Sequence, residues 1–193
     1  FSATLNLSQL DGSNGFVING VSAGDGSQIS VSSAGDVNGD GFKDLIIGAR
    51  YADPDGQSNA GASYVVFGSA EGFDPTLNLS QLDGSNGFVM NGVNAGDTLG
   101  VSVSSAGDVN GDGFDDIIIG AHYADPNGES SAGSTYVVFG SAEDFDPTLD
   151  LSQLDGSNGF VINGINITNT GSGYSVSSAG DVNGDGFDDI IIG

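Results

Sequence analysis

A block of thirteen residues, Leu-Asn-Leu-Ser-Gln-Leu-Asp-Gly-Ser-Asn-Gly-Phe-Val, begins at Leu5 and recurs from Leu77. It returns from Leu149 with Asp150 in place of the first Asn, so the step is 72 residues both times. Asp36 likewise recurs as Asp108, 72 residues on, and as Asp181, 73 on, the extra residue falling in the divergent stretch 166–173. A period of this length confines the chain to an array of like units, because one such unit cannot bury its apolar face alone. The repeats read as 1–72, 73–144 and 145–193, the third incomplete.

Within one period the pattern is all-β. Residues 88–93 form a first short strand candidate, and residues 101–106 alternate, with small Ser104, Ser105 and Ala106 suited to a crowded place. Residues 116–121 are a continuous β-branched run of strand length, as expected of a strand covered on both faces. Residues 135–139, Thr-Tyr-Val-Val-Phe, supply another. Helical periodicity is missing, and 34 glycines would penalise helices heavily. Turn chemistry separates the runs at Ala-Asp-Pro-Asp-Gly from Ala52 and Ala-Asp-Pro-Asn-Gly from Ala124. Four short strands per repeat predict β-propeller blades of four antiparallel strands, with the small-residue strand innermost. A β-solenoid competes, but its coils are usually shorter than this period.

Between the small-residue strand and the apolar strand lies the strongest chemical signal. It reads Asp36-Val-Asn38-Gly-Asp40-Gly-Phe42-Lys-Asp44, then runs from Asp108 to Asp116, then from Asp181 to Asp189. Positions 1, 3 and 5 offer side-chain oxygens: Asp36, Asn38 and Asp40; Asp108, Asn110 and Asp112; Asp181, Asn183 and Asp185. Position 7 can add a backbone carbonyl from Phe42, Phe114 or Phe187, and Asp44, Asp116 or Asp189 at position 9 can close the site with one or both oxygens. Gly41, Gly113 and Gly186 at position 6 permit the sharp turn around an ion. An all-oxygen set of this kind suits Ca²⁺, whereas Mg²⁺ usually keeps several waters. Three calcium sites, one per loop, are therefore expected.

The loops are not EF-hands, because position 12 holds Ile47, Ile119 or Ile192 where an EF-hand needs Glu. The glycine-rich nonapeptide calcium repeat fails too, since no Gly-Gly pair occurs. A plain Asp/Asn/Gly turn without metal is the competing reading, and triple repetition of every ligand position weighs against it. Three carboxylates crowded into one turn should open the hairpin without metal, so binding should couple to folding. Position 8 is Lys43 in the first loop but Asp115 and Asp188 in the others. It should point away from the ion and tune the local field, leaving the first site the weakest.

Charge narrows the partners. Twenty-six acidic residues stand against Lys43 and Arg50, for a net charge of -24, which three divalent ions would lower only to about -18. Such a field repels nucleic acid and anionic membrane surfaces. No cysteine is present for disulfides or thiolate metal sites. No apolar run approaches the roughly 20 residues that span a bilayer. The first residue is Phe1 rather than Met, so a mature product or a fragment is expected.

The small-residue strand, the Asp-x-Asn-x-Asp-Gly-x-x-Asp loop, Asp-Asp-Ile-Ile-Ile-Gly-Ala and Ser-Thr-Tyr-Val-Val-Phe-Gly together resemble the FG-GAP repeat of integrin α-subunit propellers and its bacterial relatives. The likeness covers nearly the whole chain. It implies a seven-bladed propeller with calcium on its lower face, in extracellular adhesion or surface proteins. Two positions depart from the pattern. Arg50 and His122 replace the Pro of Gly-Ala-Pro, and the Phe-Gly pair survives only as Leu99-Gly100 and partly as Ser172-Gly173. Since three blades with a third cut short do not close a ring, the remaining blades should come from a longer chain or from other copies.

Weaker candidates are His122, read as a surface-loop residue without catalytic role, and the Asp53 and Asp125 loops, read as proline-initiated turns rather than cation or sugar sites. Tyr51 and Tyr123 beside them are either contact residues or loop packing. Asn6, Asn78 and Asn166 sit in glycosylation sequons. No nucleophile–base constellation is assembled, so no enzyme is expected. The leading functional expectation is a secreted or cell-surface, calcium-stabilised module for adhesion or for binding an extracellular protein or glycan. The alternative is a structural subunit of an extracellular filament or surface layer, assembled by self-association. A non-catalytic part of a secreted hydrolase ranks third.

Overall fold

A computed structural model describes residues 4–22, 24, 28–165 and 171–193. The Asn166 sequon, Phe1 and much of the divergent 166–173 stretch lie outside the described residues. Among those described, the regular structure is strand and three-residue 3₁₀ turns. The strands are β1 (Val17–Asn19), β2 (Ile29–Gly35), β3 (Asp44–Ala49), β4 (Ala62–Val66), β5 (Thr76–Asn78), β6 (Gly87–Asn91) and β7 (Val103–Gly107). They continue with β8 (Asp116–Ala121), β9 (Ser134–Val138), β10 (Thr148–Leu149), β11 (Gly159–Asn163), β12 (Val176–Gly180) and β13 (Asp189–Ile192).

The four-stranded antiparallel unit is present twice. One sheet runs β2-β3-β4-β6, with β10 added in parallel beyond β6; the next runs β7-β8-β9-β11. Register repeats with the sequence: Ile47 faces Tyr64 and Ile119 faces Tyr136, while Tyr64 faces Val89 and Tyr136 faces Val161. The third unit is represented by β12-β13, and β1 pairs in parallel with β5.

One expectation is corrected. Residues 88–91 do not open the sheet of their own repeat; as β6 they close the preceding one against β4. A 72-residue period can be cut anywhere, and the hydrogen bonds cut it so that the sheets span 29–91 and 103–163. The innermost place goes to β2 and β7, whose small residues let neighbouring sheets approach. Strands β2, β7 and β12 lie side by side. Ser30 Oγ donates to Gly100 O at 2.8 Å, and Val176 N donates to Ser102 Oγ at 3.1 Å. Leu99-Gly100, where the repeat departs from Phe-Gly, keeps a packing role: Leu99 is buried, and Gly100 N donates to Gly120 O at 2.9 Å.

The continuous apolar runs have their reason in this stacking. In β8, Ile117 and Ile119 join one core with Ile46, Val65, Phe88 and Leu99, between the two complete sheets. Ile118, on the other face, joins Val137 and Val176 toward the third unit. The second complete sheet is thus covered on both faces, and each fully buried Ile contributes about 1.5–3 kcal/mol. Phe145 extends this core from the following repeat, stacking on Phe88 with ring centroids 4.6 Å apart.

Candidate metal centre

Each predicted loop joins an inner strand to the strand beside it: 36–44 between β2 and β3, 108–116 between β7 and β8, and 181–189 between β12 and β13. A β-bulge precedes each one, at Ser33/Gly35, Ser105/Gly107 and Ser178/Gly180, where the paired strands lose register and the chain swings out. Position 6 turns as anticipated: Gly41, Gly113 and Gly186 have φ of 90°, 94° and 93°, which side-chain-bearing residues rarely adopt.

The loop side chains fold back on their own amides. Gly41 N donates to Asp36 Oδ2 (3.0 Å), Asp40 N to Asn38 Oδ1 (3.1 Å) and Phe42 N to Asp40 Oδ1 (2.7 Å). In the second loop Gly113 N donates to Asp108 Oδ2 (2.9 Å), Asp112 N to Asn110 Oδ1 (2.9 Å) and Phe114 N to Asp112 Oδ1 (3.0 Å). The third repeats the scheme with Gly186 N on Asp181, Asp185 N on Asn183 and Phe187 N on Asp185. Those amide bonds hold the exposed Asp181 carboxyl below its ordinary range.

Position 9 differs from a free ligand. Asp44 is wholly buried, its Oδ2 accepting Val37 N at 2.7 Å and its Oδ1 accepting Gly68 N at 2.8 Å. Asp116 repeats this with Val109 N and Gly140 N, both at 2.9 Å. Loss of water raises both carboxyls to about 6, against the lowering effect of those amides. Both oxygens already carry a hydrogen bond, so each retains one lone-pair direction for a further partner. In the third loop Asp189 accepts from Val182 N and from Asn183 Nδ2.

Each loop carries the residues expected at positions 1, 3, 5 and 9 along one short turn, with their side-chain oxygens bonded to separate backbone amides. Among the described residues, no three acidic or imidazole groups converge in a ligating cluster. The fit to a hard cation rests on the all-oxygen donor set and on one atom: Asp36 Oδ1 is buried and accepts no hydrogen bond. An unpaired carboxylate oxygen removed from water is costly, and a cation is the partner that would satisfy it. In contrast, Asp108 and Asp181 each accept three amides.

Two participants were not anticipated. Gly68 and Gly140, which clamp position 9, follow Phe67 and Phe139; their recurrence 72 residues apart was the available signal. Position 8 does more than tune a field: the side chains of Asp115 and Lys43 meet at 2.7 Å across the sheets. Burial would raise the Asp115 carboxyl, but the Lys43 ammonium and the Asp36 amide outweigh it and hold it low.

The opposite ends of the strands carry the remaining candidates. His122 is not a surface-loop residue: it is 7% exposed, with Thr98 Oγ1 3.2 Å from Nδ1 and its ring between Tyr123 and Tyr174. Burial lowers its pKa, with Arg50 acting in the same sense. The Asp53 and Asp125 loops are closed turns, Asn59 N donating to Asp53 Oδ1 and Ser131 N to Asp125 Oδ1, both at 2.6 Å. Tyr51 packs beneath Arg50, 4.6 Å from guanidinium to ring centroid, while Tyr123 is exposed.

Comparison with known proteins matches the FG-GAP repeat at residues 29–66, 99–138 and 172–193. The chain is 32% identical over 162 residues to integrin alpha-PS2 of Drosophila melanogaster, covering 82% of this chain and 11% of that protein. It is 27% identical to human integrin alpha-6 over 82% of this chain and 12% of the relative. It is also 30% identical to bovine phosphatidylinositol-glycan-specific phospholipase D, over 83% of this chain and 18% of that protein. The chain therefore spans less than a fifth of each of these relatives. No helix among the described residues is long and apolar enough to cross a membrane.

Proposed function

The chain belongs to the FG-GAP repeat family, and from that premise we propose that it is a calcium-stabilised extracellular module for adhesion or for binding a protein or glycan. Its likeness to integrin alpha subunits supports a cell-surface or secreted setting. The observation that carries the calcium reading is the buried, unpartnered Asp36 Oδ1 within a loop of otherwise oxygen donors. Asp36, Asn38, Asp40 and Asp44 would hold the first ion with the Phe42 carbonyl, and the equivalent residues of the second and third loops would hold theirs. The ion would neutralise carboxylates crowded on one turn and tie the ends of two strands together. No catalysis is assigned: the likeness to the phospholipase spans a minor part of that enzyme.

Titration calorimetry with Ca²⁺, beside thermal unfolding in Ca²⁺, Mg²⁺ and chelator, tests this reading. Three bound Ca²⁺ per chain and a melting temperature that falls in chelator are expected. Absence of binding at millimolar Ca²⁺, or equal stabilisation by Mg²⁺, would overturn it.

A second reading, a filament or surface-layer subunit, has one observation in its favour. The repeats are near-identical at a step of 72 residues, so a strand of one copy fits the place of its counterpart in another. Exchange of a matching element between copies is a low-cost route to assembly. Light scattering that shows concentration-dependent polymers, dispersed by chelator, would select this reading over the monomeric module.

A further inference from the structure

The first and second candidate metal loops are each gripped by the loop that follows. Asp36 N donates to Asp115 Oδ2 at 2.7 Å, and Asp115 N donates back to Asp36 O at 3.2 Å. The next junction repeats the exchange: Asp108 N donates to Asp188 Oδ2 at 3.0 Å, and Asp188 N to Asp108 O at 3.0 Å. In both cases position 1 of one loop is bound to position 8 of its successor.

Space is kept clear for this approach. A Cβ on Gly35 would meet the Asp115 side chain, and one on Gly107 would meet Asp188. Gly39 and Gly111 lie in the same way beneath the rings of Phe114 and Phe187. Ser141 N adds a bond to Val37 O at 2.8 Å at the first junction. The arrangement recurs although the two junctions differ in sequence: Asp115 also carries the Lys43 ammonium, whereas the second junction has no lysine.

We infer that Asp115 and Asp188 are positioning residues for the ion of the preceding loop, Asp115 for the first site and Asp188 for the second. Neither belongs to the ligand set of the site it serves. Each fixes the backbone amide at position 1 and with it the direction in which the Asp36 or Asp108 carboxylate is presented. The side-chain contribution runs one way along the chain: Asp188 of the third loop serves the second site, and Asp115 of the second loop serves the first. This inference rests on the calcium reading above. Loss of a hydrogen bond that orients a metal ligand typically lowers affinity about 10- to 100-fold. Here the bond reaches the ligand's backbone, so the low end is expected.

The test follows the amide resonances of Gly41, Gly113 and Gly186, one per loop, during Ca²⁺ titration of the whole chain. For D188A the Gly113 midpoint should move about tenfold higher in Ca²⁺, with Gly41 and Gly186 nearly unmoved. D115A should move Gly41 instead, and D115N, which retains an acceptor oxygen, should restore most of the affinity. In chelator, D115A should also lose hydrogen-exchange protection at the Asp36 amide, a readout independent of calcium. A shift confined to the mutated loop itself, an equal shift in all three, or unchanged midpoints in a normally titrating protein would overturn the coupling alone. Wild-type glycine amides that ignore Ca²⁺ would overturn the calcium reading, and this inference with it.

Discussion

Asp44 Oδ1 accepts the amide of Gly68 at 2.8 Å, joining the last residue of the first candidate metal loop to the chain just beyond β4. Asp116 and Gly140 repeat the bond at 2.9 Å. A carboxylate whose sequence position suggested only a metal ligand therefore also holds two strand ends in place. Its role in the fold does not wait for an ion.

Replacing Asp116 should accordingly destabilise the chain even in chelator. D116A strands the amides of Val109 and Gly140, and a buried donor left unpaired costs about 1–3 kcal/mol. D116N keeps one acceptor oxygen and should lose less. Urea unfolding in chelator measures both; D116A as stable as wild type would refute the structural role.

The pH dependence of the metal-free chain should run opposite to ordinary acid denaturation over part of its range. Asp44 and Asp116 titrate near 6 when folded, against 3.8 for the ordinary side chain, because burial disfavours their charged forms. The folded state therefore binds more protons than the unfolded between those values, and stability rises as pH falls through that window. Below it these two groups add nothing further. With Ca²⁺ bound the trend should reverse, because protons compete for the same oxygens. Urea midpoints at about pH 7 and about pH 5, with chelator and with Ca²⁺, give the comparison; a lower chelator midpoint at about pH 5 would contradict it.

The first of the proposed calcium sites should be the weakest, since Lys43 is the one lysine of the sequence and lies at position 8 of that loop. Removing its charge with K43M should raise affinity at the first loop by a few-fold at low salt, an effect that screening erases. Single-loop ligand variants separate the three affinities, and equal values would remove this role for Lys43.

Ile118 and Ile191 occupy the same place in successive repeats, yet Ile118 is fully buried and Ile191 is 60% exposed. Ile118→Ala should cost about 2–5 kcal/mol through the cavity it leaves. Ile191→Ala in this chain should stay within about 0.5 kcal/mol. Equal losses on urea unfolding would mean that Ile191 is covered in solution, for instance by another copy of the chain.

Much of this architecture was legible in the residues. The β-branched run at 116–121 announced a strand buried on both faces, and the glycine of each loop announced its turn. The identity of Phe88 as an outer strand was not legible, because alternation shows a strand but not its hydrogen-bond partner. His122 was misplaced for a related reason: a polar residue beside a turn reads as exposed until Thr98 and Tyr174, distant in sequence, are brought around it.

The sequence by itself determined the repeat, the strand pattern and the three oxygen-rich loops, because spacing along a chain is enough to specify a local turn and the faces of a strand. Only the tertiary structure decided what position 8 does. Asp115 and Asp188 stand beside their own loops in sequence, but their carboxylates bond to the loop before, 79 and 80 residues away. Hydrogen bonding across that distance depends on how closely two sheets stack, and the bare glycines at 35 and 107 admit the approach only once they do.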